Sequence, residues 1–84
     1  MKDKENLKKQ IIYRSTHRGS KEMDLLVGSF VKDNIDSLSY KDLSMLKIFI
    51  DTDDEILKSW YFENASTKST FLNKVIKKFK KFKL

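Results

Sequence analysis

The chain has no cysteine and no proline, and only two glycines in 84 residues. Without cysteine there is no disulfide and no thiolate metal site, which fits a reducing compartment. Without proline, and with little glycine, a turn-rich β fold is disfavoured and helices are favoured. A single histidine, His17, is too little for a histidine-based metal centre. No serine sits in a Gly-x-Ser-x-Gly setting, and no P-loop or dinucleotide fingerprint occurs. No apolar run approaches the roughly 20 residues of a membrane span. The N-terminus is charged, without the apolar stretch of a secretory signal or the arginine-rich, acid-poor character of a mitochondrial transit peptide. These absences point to a binding protein rather than an enzyme. A bacterial cytoplasmic setting is the simplest fit.

What is present is a short, highly charged chain. Its length allows one domain with a modest core. The net charge is +6, but it is not spread evenly. Residues 74–83 hold six of the 18 basic residues, which leaves 12 against 12 acids elsewhere. A neutral body with a basic tail argues against a basic groove running over the fold, and so against nucleic acid as the partner.

Hydrophobic spacing predicts an all-α bundle of five short helices in a single domain over residues 1–84. Met1–Asn6 is polar and expected to fray. A first helix runs from about Leu7 to His17, with Leu7, Ile11 and Arg14 on one face and Ile12 beside them. The second starts near Ser20 as N-cap. Its buried stripe is Met23, Leu26, Val27, Phe30 and Val31, spaced i, i+3, i+4, i+7, i+8. Leu25 and Gly28 fall on the other face, either as plain surface or as a flat docking spot. Asn34–Leu38 is a connector. Ser39 and Asp42 form a capping box for a third helix with Leu43, Leu46, Phe49 and Ile50 inward, widened by Met45 and Ile48. The acidic run Asp51–Glu55 lacks the glycine and glutamate that a calcium loop needs. It reads as the start of a fourth helix, capped by Thr52 or Asp54, that holds Ile56, Leu57, Trp60 and Tyr61. A fifth helix from about Lys68 places Phe71, Leu72, Val75, Ile76, Phe79 and Phe82 opposite its lysines. Two readings of that helix stand. It packs on the bundle with a solvated basic face, or it lies on an anionic membrane or acidic partner. Residues from about 77 to 84 exceed what a small core needs. The pattern predicts a loose tail whose removal leaves the fold intact.

The organising stretch is the corner between the first two helices, Arg18-Gly19-Ser20-Lys21-Glu22-Met23-Asp24. Taken alone, it reads equally as a capping glycine between surface charges or as a binding site. Its flanks extend the pattern: Tyr13 through Leu26, then Asp36-Ser37-Leu38, Asp53-Asp54 and Trp60. With Arg18, Gly19 and Glu22 as R-G-x-x-E, the chain resembles the succinate dehydrogenase FAD assembly factors. These are the SdhE-type proteins of bacteria and their mitochondrial relatives. The likeness covers about Leu7 to Ile76. It departs at Glu55, where many relatives carry proline.

The resemblance implies a small helical factor that binds the flavoprotein subunit of succinate dehydrogenase, with fumarate reductase as a related candidate. It implies that the factor promotes covalent attachment of FAD to a histidine of that subunit. FAD would be the partner's cofactor, with none held stably by the factor, no catalytic residue and no metal. The free factor would be a monomer, with no stable membrane insertion. The site expected from this reading is Arg18, Gly19 and Glu22, rimmed by Arg14, His17 and Asp24. Arg18 would pair with a carboxylate of the flavoprotein, and Arg18 and Glu22 would matter more for binding than for folding. The rival readings are a small nucleic-acid binder or a membrane-surface protein, each using the lysine-rich helix.

Overall fold

A computed structural model describes residues 2–66 and 72–84. Five helices follow one another: α1 (Lys2–Thr16), α2 (Lys21–Asn34), α3 (Tyr40–Ile50), α4 (Asp54–Phe62) and α5 (Asn73–Lys81). A 3-10 turn at Ile35–Ser37 joins α2 to α3, and there is no strand among the described residues. The Cα radius of gyration is 12.1 Å. A compact chain of this length has one of about 12 Å, so the helices form one bundle.

Local chemistry explains the helix starts. Ser20 has extended backbone angles and its side chain accepts from the Met23 N–H at 3.1 Å. Ser39 does the same for the Asp42 N–H at 3.2 Å. Each hydroxyl satisfies one of the N–H groups that a helix start leaves without a carbonyl partner. α1 begins at Lys2, ahead of the expected Leu7, and carries Asp3 and Glu5 in its first turn. Acids there complement the positive end of the helix dipole, so the polar segment expected to fray is helical instead. α4 is capped from position Asp53, without a side-chain hydrogen bond, and not by Thr52 or Asp54 as expected.

The α2 stripe is buried throughout: Met23, Leu26, Val27, Phe30 and Val31. Leu43, Met45, Leu46, Phe49 and Ile50 of α3 are buried in the same core, whereas Ile48 and Ile56 are exposed. Gly28 is a second correction, since it is buried rather than on an outward face. A Cβ at Gly28 would lie 2.9 Å from Thr16 Cγ2, so glycine here lets α1 and α2 close together. Leu25 remains exposed.

The largest correction concerns the tail. Phe79 is fully buried, and its ring lies 5.2 Å from Phe30 and 5.0 Å from Phe49, while those two are 5.7 Å apart. Three helices therefore meet at one aromatic cluster, with Trp60 stacked on Phe49 from α4. Phe82 packs on Phe30 at 5.6 Å, and the Tyr61 hydroxyl donates to the Phe82 carbonyl at 2.6 Å. A core this small needs the rings that the spacing made look surplus, because α4 alone does not cover α2 and α3. Lys68 and Phe71, expected in the fifth helix, lie outside the described residues.

Phe79→Ala should cost about 3–5 kcal/mol, the usual range for a buried aromatic. Removing residues 77–84 should abolish cooperative thermal melting by circular dichroism, since that loss is a large part of an ordinary domain's stability.

Candidate functional site

The corner between α1 and α2 lies over the turn between α3 and α4. The two are tied by one side chain. Arg18 donates through Nε to Asp54 Oδ1 at 2.5 Å, through Nη2 to the Thr52 carbonyl at 2.5 Å, and through Nη1 to the Ile50 carbonyl. Its side chain is only 9% exposed, and that of Asp54 27%. Ile50 ends α3, where carbonyls lack helical partners and the dipole is negative, so a cation is favoured there. Asp54 opens α4, where an anion is favoured. A planar guanidinium serves all three acceptors at once, which a lysine ammonium does not match in geometry. The expectation that Arg18 reaches out to a partner's carboxylate is therefore corrected, because its fork is satisfied within the chain.

Asp24 is also engaged internally. Its Oδ1 accepts the Arg18 backbone N–H at 2.6 Å, which closes the corner. Gly19 sits between them at φ 109°, a conformation that side-chain-bearing residues rarely adopt. No atom beyond its chain neighbours lies within 4 Å of where its Cβ would be, so its outer side is open. Glycine is required here by the backbone and not by crowding.

The remaining expected residues face outward. Glu22, in the first turn of α2, is exposed and has no hydrogen bond or ion pair among the described residues. Arg14 is 59% exposed on its side chain and pairs with Asp51 at 2.5 Å. His17 Nδ1 lies 2.8 Å from the Tyr13 carbonyl. A carbonyl only accepts, so Nδ1 carries the proton in the neutral ring and Nε2 is left as an acceptor. The His17 ring stacks on Tyr13 at 4.0 Å, with 14° between planes. Tyr13, Arg14, His17, Arg18 and Ile50–Asp54 line an open cleft of about 470 Å³.

Sequence reasoning missed Tyr13, Asp51 and Asp54 as parts of this site. Stacking at i, i+4 was the available signal for Tyr13. Asp54 lies 36 residues from Arg18 and offered no local signal. Among the described residues no cluster of His, Cys, Asp and Glu has the geometry of a metal site.

Fold and corner together define a small helical domain that holds a polar, solvent-facing edge on a rigid frame. The chain belongs to the family described as flavinator of succinate dehydrogenase, whose model matches residues 9–83. It is 33% identical over 73 residues to "Succinate dehydrogenase assembly factor 2, mitochondrial" of Dictyostelium discoideum, covering 87% of this chain and 52% of that protein. It is 31% identical over 55 residues to "FAD assembly factor SdhE" of Acetobacter pasteurianus, covering 66% and 50%. The chain thus spans about half the length of the curated relatives it matches. No solved structure matches.

Arg18→Ala should be strongly destabilising, by about 3 kcal/mol or more, because it strands Asp54 and two carbonyls. The thermal midpoint should fall by more than about 10 °C, and Arg18→Lys should restore only part of it. Gly19→Ala should cost about 1–3 kcal/mol from backbone strain alone. Urea unfolding midpoints of these variants, compared at unchanged slope, check both values.

Proposed function

We propose that this chain is an assembly factor that binds the flavoprotein subunit of succinate dehydrogenase and promotes covalent attachment of FAD to it. The observation that carries the reading is the R-G-x-x-E corner. In it, an exposed Glu22, without an ion pair among the described residues, stands beside an open Gly19 on a frame that Arg18 holds rigid. Membership of the flavinator family supports it.

The geometry supports the following roles within the motif. Arg18 and Asp24 are positioning residues. Glu22 is the charged contact for the partner. Gly19 lets the partner's backbone approach closely. His17 Nε2 and the outer N–H groups of Arg14 rim the contact. The factor holds no FAD stably, and the bond-forming chemistry belongs to the flavoprotein. It acts as a monomer in the bacterial cytoplasm. Fumarate reductase, with a related flavoprotein, is a second client of the same kind.

The mechanism is differential binding. The factor favours a flavoprotein conformation that holds FAD near its acceptor histidine, and so raises that state's population. Raising a state from one in a hundred to half needs about a hundredfold tighter binding to it, or about 2.7 kcal/mol. A single desolvated charge contact across an interface supplies about 2–5 kcal/mol. One contact through Glu22 is enough on that scale.

Glu22→Ala should melt within about 0.5 kcal/mol of wild type, as exposed charges usually do. It should still fail to support flavinylation. The measurement is flavin fluorescence of the denatured flavoprotein band, produced with each variant as its only assembly factor. Full flavinylation with Glu22→Ala would refute the proposed contact.

A further inference from the structure

The corner leaves the charge on α5 unexplained. Lys74, Lys77, Lys78 and Lys81 recur at i, i+3, i+4 and i+7 on the side opposite the buried Val75, Ile76 and Phe79, and Lys83 follows. Lys77, Lys78, Lys81 and Lys83 are exposed and have no hydrogen bond or ion pair among the described residues. Lys80 is half-buried and donates to the Ala65 carbonyl at 2.8 Å, which fixes the helix on the body. The acids that border the face are Asp42, 3.6 Å from Lys74, and Asp33, beside Lys78, Lys81 and Lys83. Five of the six lysines that make up the excess charge thus lie on the outward side of α5 and its C-terminal extension.

The face is made of lysine alone, since both arginines of the chain, Arg14 and Arg18, are at the corner. Arginine suits bidentate recognition of one particular carboxylate or phosphate, whereas lysine acts as a mobile point charge. A lysine-only face fits a diffuse anionic surface better than a defined acidic peptide. Leu84, next to Lys83 in sequence, is 69% exposed.

We infer that the α5 face docks the folded protein on an anionic lipid bilayer, through lysine attraction with Leu84 beside it. The apolar side of α5 is spent in the core. The helix therefore does not insert, and attachment is peripheral and salt-sensitive. This surface is separate from the corner, and the flavinylation result does not bear on it.

The test is co-sedimentation of the full chain with phosphatidylcholine vesicles, with and without phosphatidylserine. Each lysine near an anionic surface strengthens partitioning about fivefold. The triple variant K77Q/K78Q/K81Q should bind about a hundredfold more weakly than wild type while melting normally. A second triple variant, K9Q/K21Q/K41Q, has the same net charge but leaves the face intact, and should lose far less. Binding should vanish when salt is raised tenfold from about 50 mM. The inference is overturned if wild type ignores the serine-containing vesicles at low salt or binds pure phosphatidylcholine equally well. It is equally overturned if the two triple variants lose the same affinity, or if wild type prefers a DNA duplex to the vesicles.

Discussion

The fold rests on a guanidinium placed where two pairs of helices meet. Arg18 leaves the end of α1, reaches the carboxyl end of α3 and the amino end of α4, and satisfies acceptors on both. The contact exploits an asymmetry that every helix has, negative at its end and positive at its start. Asp24 then fixes the Arg18 backbone, and the positive φ of Gly19 makes the turn between them possible. The same few residues hold the frame and shape its open edge. Arg18 and Gly19 are sensitive to change on structural grounds, whereas Glu22 makes no contact among the described residues that its loss would break.

Local patterns were legible where burial follows period. The α2 stripe and the Ser20 and Ser39 caps rest on short-range spacing and appear in the fold where that spacing puts them. The R-G-x-x-E corner and the family it implies were legible for the same reason, being contiguous in sequence. What stayed hidden depends on distant neighbours. Whether Arg18 is free or engaged turns on Asp54, 36 residues away. Whether Phe79 is surplus turns on how much of Phe30 and Phe49 the other helices leave uncovered. Whether Gly28 faces water or α1 turns on how closely two helices approach. Spacing assigns Phe79 and Gly28 to a face of their helix, but which neighbour covers that face depends on residues far away in sequence.

The chain separates its charge by type as well as by place. Arg18 holds geometry at the corner, where the direction of donors matters. Lysines crowd one face of α5, where the sign of the charge matters more than the direction of its donors. Long-range attraction and short-range geometry are thus carried by different residues at different places.

The ring cluster of Phe30, Phe49 and Phe79 bears on the order in which the chain is made. A ribosome delivers Arg18, Gly19 and Glu22 long before it delivers Phe79. Until that last ring arrives, α2 and α3 have an uncovered apolar face, and the bundle that supports the corner is open. The corner is thus written early and takes its shape late. An unfinished chain carries the motif as sequence without presenting it as a surface, and its exposed rings mark it for the chaperones and proteases that sort such species.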